Sequence, residues 1–142
     1  MESRDVDAVV AIQSASSEIA QWGAADYDLA HRPTTFGWVA EQEQRVIGFL
    51  VVRQALDEIE ILNIAVLPGL RRQGIGTQLL STALKDASHR GAMDAYLEVR
   101  ASNSRAIEFY KHHGFRMLDR RAEYYASPCE DALVLALHLK RI

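Results

Sequence analysis

The sequence predicts an α/β fold of the mixed, α+β kind, in which a central mixed sheet is flanked by helices. Apolar residues follow helical spacing between positions 75 and 87, and short segments rich in β-branched residues stand on both sides of that stretch. The resulting strand, helix and strand order favours a right-handed parallel crossover. Because 142 residues is close to the usual size of one domain, residues 1–142 are expected to form a single domain.

The first third of the chain is predicted to hold one helix and the start of the sheet. A helix is expected behind Asp5, followed by a short helical or loop stretch from Trp22 to Pro33. FGWVAE and RVIGFLVVR read as a hairpin around the polar turn EQEQ. EIEILNIAV reads as a third, more buried strand that ends before Pro68. The apolar residues that define the first helix are Val6, Val9, Val10 and Ile12.

The second half alternates helices and strands. The strongest helical pattern starts at Ile75 and stops at Gly91. AYLEVR then reads as a strand, SRAIEFYKHH as a short helix, and FRMLDRRAEYY and DALVLALHL as two closing strands around the turn SPCE. IEILNIAV and AYLEVR should therefore be parallel neighbours, and ligands of such sheets gather at the carboxyl ends of the strands.

Composition and charge exclude several classes of protein. The hydrophobic share of 49% and the charged share of 25% match an average soluble globular protein. A net charge of -3 gives no general attraction to nucleic acid. The N-terminal MESRDVDAVV lacks the features of a signal peptide or a transmembrane helix. We therefore expect a cytoplasmic protein that has no direct nucleic-acid partner and no membrane partner.

No metal site is expected from the cysteine and histidine content. Cys129 is the single cysteine, which excludes an intramolecular disulfide and every metal site that needs several cysteines. The five histidines show no HExxH motif and no other metal-ligand spacing. His112 and His113 precede Gly114, where the last turn of a helix and its left-handed cap are predicted.

The segment LPGLRRQGIGTQ is predicted to bind a phosphate. It follows a strand and leads into a helix, whose N-terminal N–H groups and dipole favour an anion, and arginine adds forked donors suited to pyrophosphate. A Walker loop would need Lys in place of Thr77, and a dinucleotide fingerprint would need Gly in place of Leu79. Both nucleotide-loop interpretations fail, and a purely structural turn remains the alternative.

NIAVLPGLRRQGIG resembles the acetyl-CoA pyrophosphate loop of the GNAT superfamily of N-acetyltransferases. The signature of that loop is Gln or Arg, two residues, Gly, one residue, then Gly or Ala, and Arg71, Gly74 and Gly76 fill it. LEVRASNSRAIEFYKHHGF is similar to the second half of the family pattern, so the resemblance covers most of residues 58–137. It implies the GNAT acyl-CoA N-acyltransferase fold, acetyl-CoA as co-substrate and no covalent enzyme intermediate.

The resemblance also implies which residues hold acetyl-CoA. Backbone N–H groups near Ile64, Ala65 and Val66 would face the pantetheine and the thioester carbonyl. Asn103 would contact CoA, although an ordinary helix N-cap is the alternative for this residue. The pyrophosphate would lie against the loop and helix start formed by Arg71, Arg72, Gln73, Gly74, Ile75, Gly76 and Thr77.

Glu98 is the candidate general base. It interrupts an apolar strand, and alternation places it on the same face as Tyr96 and Arg100. A carboxylate that is partly withdrawn from water becomes a stronger base, and the resemblance matches Glu98 to a proposed proton acceptor. A glutamate on a solvated sheet face is the alternative interpretation. Glu60 is the rival base, because many GNAT proteins use a glutamate from the strand that runs into the pyrophosphate loop.

Tyr110 is implied by the resemblance to donate a proton to the departing CoA sulfur. The alternative is an aromatic residue that packs on a core face with Ile107. Tyr124 and Tyr125 resemble a tyrosine pair that lines the peptide groove in N-terminal acetyltransferases. For these two residues, strand aromatics that pack a β-face are the alternative.

The acceptor amine is predicted less directly than the co-substrate. LEVRASN, the YY pair and EDA are similar to the branch of the family that acetylates the N-terminal alanine of a small-subunit ribosomal protein. QWGAADY and the short segment between Tyr125 and Glu130 depart from that branch, and both departures concern the acceptor side. A small amine or a protein lysine is the alternative acceptor. A non-catalytic acyl-CoA-binding regulator is the alternative outside the enzymes.

Overall fold

The computed structural model describes residues 1–16, 21–29, 32–71, 73–126 and 129–139. The strands are β1 Thr35–Gln42, β2 Arg45–Ala55, β3 Glu58–Val66, β4 Asp94–Arg100, β5 Arg116–Ala126 and β6 Cys129–His138. The helices are α1 Val6–Ser14, α2 Ile75–His89 and α3 Ser104–His112. The strands form one six-stranded mixed sheet in the order β1-β2-β3-β4-β6-β5, which confirms the predicted α/β class.

Helix α1 covers one face of the sheet. Its buried side chains Val9 and Ile12 pack against Phe49 and Val51 of β2. The stretch that was predicted as helix or loop after Trp22 contains a short 3₁₀ turn, Ala24–Tyr27. This turn brings the Tyr27 ring into the same cluster, so the segment is anchored to the sheet.

Helices α2 and α3 cover the opposite face. The predicted apolar stripe of α2 is confirmed, because Leu79, Leu80, Ala83 and Ala87 are all buried. They pack on residues of β2 and β3, and Tyr110 of α3 joins the same core. Among the described residues, no helix is both long enough and apolar enough to cross a lipid bilayer.

Strands β3 and β4 are parallel neighbours, as predicted, but they pair only briefly. The paired residues are Glu58 with Asp94, Ile59 with Ala95 and Glu60 with Tyr96. Beyond these pairs β3 continues beside β2 to Val66, while β4 continues beside β6 to Arg100. The two strands therefore diverge toward their carboxyl ends.

A bulge in β3 coincides with this divergence. Val52 of β2 pairs with Ile61 and Val51 pairs with Asn63, so Leu62 is an extra residue in β3. A bulge of this kind bends a strand and reverses its alternation. Ile61 accordingly packs on the α2 side, whereas Ala65 packs on the α1 side. The sequence alone predicted an uninterrupted strand here.

Strands β5 and β6 form the predicted closing hairpin, and β6 lies between β4 and β5. The predicted turn SPCE is wrong at its second half, because Cys129 pairs with Ala126 and Glu130 pairs with Tyr125. Ser127 and Pro128 lie outside the described residues. β5 is thus an edge strand, and nearly all of its side chains are exposed.

Candidate functional site

The gap between β3 and β4 presents backbone groups of β3. The N–H of Leu67 donates to the carbonyl oxygen of Ile47 at 2.9 Å, which makes these two residues a hydrogen-bonded antiparallel pair. Since such pairs alternate along a ladder, the N–H groups of Ile64 and Val66 point away from β2 and toward the gap. The N–H of Ala65 points to β2, so only two of the three predicted amides face the gap.

The start of α2 lies just beyond the end of β3. Gly74 is the N-cap residue, with φ of 80°, and it brings no capping side chain to the helix. A Cβ atom there would have nothing within 4 Å, so the left-handed backbone rather than space requires glycine. The first-turn N–H groups of Ile75, Gly76 and Thr77 have no partners within the helix. This geometry suits an anion.

Of the two arginines predicted in the loop, the structure describes the contacts of Arg71 only. Arg71 donates through Nε to the carbonyl oxygen of Val66 at 3.3 Å and through Nη2 to Ser16 Oγ at 3.0 Å. Its guanidinium therefore joins the end of β3 to the segment after α1. Arg72 lies outside the described residues, and Gln73 is exposed. The pyrophosphate contacts of these residues remain predictions.

Helix α3 packs against the first turn of α2. A Cβ atom on Gly76 would lie 3.4 Å from the Phe109 ring, so a small residue allows this close approach. His113 Nε2 lies 3.1 Å from Thr77 Oγ1. Burial, together with the neighbouring His112, lowers the pKa of His113. Sequence reasoning assigned His113 only to the helix end, since no spacing indicates its contact with α2.

Two side chains that accept backbone hydrogen bonds fix the loop between β4 and α3. Asn103 is the N-cap of α3, and its Oδ1 accepts from the N–H of Ala106 at 3.2 Å. Glu130 of β6 accepts from the N–H of Ser102 at 2.6 Å. The alternative interpretation of Asn103 as a helix cap is thus confirmed, and its contact with CoA remains a prediction.

Glu98 lies on β4 between the buried residues Leu97 and Val99. As alternation predicted, it shares its face with Tyr96 and Arg100 rather than with the core. Its Oε1 accepts from Arg121 Nη1 at 2.9 Å, and its side chain is 31% exposed. The carboxylate is therefore accessible and held by a cation from β5.

Glu60, the rival base, lies at the last residue pair before β3 and β4 diverge. Its Oε1 accepts from Arg53 Nη2 at 3.0 Å, and its side chain is 42% exposed. Both candidate bases thus pair with one arginine. They differ in location, because Glu60 lies where the two strands are still joined and Glu98 lies beside the open part.

Tyr110 is the most enclosed of the predicted catalytic residues. It is 4% exposed and makes edge-on ring contacts with Phe109 and Phe115. The alternative interpretation as a core aromatic agrees with this burial. Burial also raises the pKa of Tyr110, so the phenol keeps its proton. A proton-donating role is compatible with that state and remains a prediction.

The two tyrosines predicted to line a peptide groove lie on β5. The Tyr125 ring packs under the guanidinium of Arg100, with 4.2 Å between the guanidinium carbon and the ring centre. Tyr124 is 48% exposed. Hydrogen bonding to Glu98, with the charge of that carboxylate, raises the pKa of Tyr124. The structure therefore brings Tyr124 to the candidate base, and the peptide contacts of both tyrosines remain predictions.

Known proteins are similar to this chain in sequence. The model of the acetyltransferase (GNAT) family matches residues 7–115. The ribosomal protein bS18-alanine N-acetyltransferase of Salmonella typhimurium is 39% identical over 97 residues, which make up 67% of this chain and 66% of that relative. The chain thus matches just under two thirds of the length of this relative.

Solved structures of acetyltransferases are also similar to this chain in fold. The crystal structure of the ribosomal-protein-S18-alanine N-acetyltransferase from Escherichia coli has a TM-score of 0.88 and 30% identity, and the match covers 100% of this chain and 92% of that one. A GNAT family acetyltransferase from Elizabethkingia anophelis, with acetyl-CoA bound, has a TM-score of 0.70 at 24% identity and covers 75% of this chain and 77% of that one. At that identity the likeness shows the fold alone. The family match over more than half of the chain confirms the resemblance seen in the sequence, and the chain belongs to the GNAT acetyltransferase family.

Proposed function

We propose that this chain transfers the acetyl group of acetyl-CoA to the N-terminal α-amino group of a protein, specifically the N-terminal alanine of a small-subunit ribosomal protein. One observation carries the proposal. The likeness to the Escherichia coli enzyme covers 100% of this chain, so it includes the acceptor side as well as the co-substrate side. The relative from Salmonella typhimurium carries the same reaction in its name.

Acetyl-CoA fits the groups that surround the gap. The N–H groups of Ile64 and Val66 are oriented to bind the amide and thioester oxygens of an extended pantetheine chain. The first turn of α2, behind the left-handed Gly74, suits the pyrophosphate. A protein of this fold has acetyl-CoA bound, which supports the same co-substrate here.

An N-terminal amine suits a site with one carboxylate. An α-amino group titrates near ~7.8 and a lysine near ~10.4, so neutralising the lysine at neutral pH costs about 3.5 kcal/mol more. Glu98 is accessible and lies on the open face of β4, where it receives the proton that the amine loses. A single carboxylate therefore has a smaller task with an α-amine than with a lysine.

The transfer proceeds by direct attack in a ternary complex. The neutral amine attacks the thioester carbonyl, and backbone N–H groups of β3 stabilise the oxyanion. Tyr110, whose pKa is raised by burial, keeps its proton until the thiolate departs and then donates it. No residue of the chain forms a covalent intermediate in this scheme.

The experiment that tests the proposal measures thiol release from acetyl-CoA with three acceptors in parallel. They are a peptide with a free N-terminal alanine, the same peptide with a blocked N-terminus and an added lysine, and a polyamine. We expect turnover with the first acceptor alone. Turnover only with the other two would overturn the acceptor, and silence with all three alongside measurable acetyl-CoA binding would favour a non-catalytic regulator.

A further inference from the structure

Two side chains of the edge strand converge on the carboxylate of Glu98. Arg121 donates to its Oε1 at 2.9 Å across the intervening strand β6. The guanidinium carbon of Arg121 lies 5.6 Å from the ring centre of Tyr124, which also interacts with Glu98. Other charged groups near this face include Asp119, which lies opposite Val134 of β6, and the ion pair of Arg100 with Glu130 at 3.4 Å.

This convergence depends on a bulge in β5. In a regular strand, residues 121 and 124 would point to opposite faces, because successive side chains alternate. Here the five residues from Arg121 to Tyr125 lie opposite the three from Ala132 to Glu130. Glu123 adopts a left-handed φ of 50° within this bulge. The extra residues turn Tyr124 to the side of the sheet on which Arg121 and Glu98 meet.

Asp131 of β6 holds the bulge in place. Its Oδ1 accepts from the N–H of Glu123 at 2.9 Å, and its Oδ2 accepts from Arg120 Nε at 2.7 Å. These two interactions give Asp131, the second residue of the EDA segment, a structural role in the hairpin. Hydrogen bonds to Arg120 and Glu123 therefore hold the chain on both sides of Arg121.

We propose that Arg121 is a positioning residue for the base: it fixes the orientation of the Glu98 carboxylate that the acceptor amine meets. The inference rests on the proposed function, because it takes Glu98 as the proton acceptor. In this arrangement Arg121 acts only through its hydrogen bond to the Glu98 carboxylate. It follows that Arg121 has no effect on catalysis once Glu98 is unable to accept a proton.

The chain offers a matched control. Arg53 pairs with the rival carboxylate Glu60 at 3.0 Å, compared with 2.9 Å for Arg121 and Glu98. The two arginines are also similarly exposed, at 53% and 48%. Arg53→Met removes a guanidinium from beside Glu60, just as Arg121→Met removes one from beside Glu98.

The test is a double-mutant cycle with the free-alanine peptide as acceptor. We expect Arg121→Met to lower kcat by about tenfold without changing the KM for acetyl-CoA, and Arg121→Lys to restore most of the loss. The Glu98→Gln background is assayed near pH 9, where the amine is largely neutral. There, adding Arg121→Met should lower kcat by less than about twofold. Arg53→Met should keep the wild-type kcat. Circular dichroism establishes that each variant is folded, and Arg121→Gln serves if the methionine variant is not.

Three outcomes would overturn the inference: an equal loss from Arg121→Met in both backgrounds, a change confined to the KM for the peptide, or an unchanged kcat. The first two would assign Arg121 to an independent role in catalysis or peptide binding. If Glu98→Gln alone keeps the wild-type kcat at neutral pH, the base itself is misassigned, and the failure belongs to the proposed function.

Discussion

Glu98 and Glu60 have similar chemical partners, so location rather than charge distinguishes them. We expect Glu98→Gln to lower kcat at neutral pH by about 100-fold, because the acceptor amine then loses its general base, and Glu60→Gln to have a much smaller effect. Steady-state rates with the alanine peptide measure both. A large loss from Glu60→Gln with little change from Glu98→Gln would move the base to β3.

Tyr110 gives a prediction about pH. Since burial raises its pKa above the ordinary value near ~10, the phenol stays protonated where an exposed tyrosine would begin to ionise. The pH profile of kcat should therefore rise as the amine deprotonates and stay level to about pH 10. Tyr110→Phe should lower that plateau by about tenfold or more while changing the unfolding free energy by less than about 1 kcal/mol. A fall in wild-type kcat below pH 10 that the phenylalanine variant lacks would show an ordinary phenol.

At the scale of elements, Gly74 and Gly69 make a matched pair within one loop. Nothing lies within 4 Å of a Cβ atom on either glycine, but only Gly74 has a positive φ, at 80°. Gly74→Ala should cost about 1 kcal/mol of unfolding free energy and raise the KM for acetyl-CoA, because the start of α2 would shift. Gly69→Ala should do neither. Denaturant unfolding and initial rates measure the two effects.

The β5 bulge leads to a prediction about acid stability. The N–H of Glu123 and the Arg120 guanidinium hold the pKa of Asp131 below its ordinary value. A depressed pKa contributes stability above the ordinary value near ~3.9, and this contribution is lost as the pH falls through the native value. Asp131→Ala should therefore unfold at a lower temperature than the wild type at pH 7, with the difference shrinking below about pH 4. A difference that persists undiminished at pH 2 would contradict this.

The elements themselves could be read from the sequence because each has a clear period and clear ends. The α2 stripe and Gly91, or the alternation around Glu98, depend only on neighbouring residues. The bulges at Leu62 and near Glu123 could not be predicted, since a bulge is a relation between two paired strands. This explains why Glu98 was found and its partner Arg121 was not: their contact depends on how β5 pairs with β6 and how β6 pairs with β4.

At the scale of the whole molecule, a buried polar network joins α1, the 3₁₀ turn and β3. The Tyr27 hydroxyl donates to Gln13 and accepts from Asn63 Nδ2 at 2.8 Å, and burial, partly offset by Asn63, raises the pKa of Tyr27 to about 12. Gln13 also holds the backbone of Trp22, because its Nε2 donates to the Trp22 carbonyl oxygen and its Oε1 accepts from the Trp22 N–H. The segment that contains QWGAADY is thus tied directly to β3.

Tyr27→Phe should destabilise the fold by about 1–3 kcal/mol, because it removes the buried hydrogen bonds that the hydroxyl makes with Gln13 and Asn63. Tyr96→Phe, which changes a tyrosine on the other half of the sheet, is the control and should leave the melting temperature nearly unchanged. Thermal unfolding followed by circular dichroism measures both. Equal and small shifts in the two variants would show that the network contributes little.

The short pairing of β3 with β4 also has a mechanical consequence. Strands β1 to β3 form one half of the sheet and strands β4 to β6 form the other, and three residue pairs at one end join the two halves. A co-substrate that binds in the gap between β3 and β4 would connect the two halves along the length where these strands do not pair. Acetyl-CoA would then join β3 to β4 as an additional strand would, and it would add to the packing that sets the position of Glu98 relative to β3.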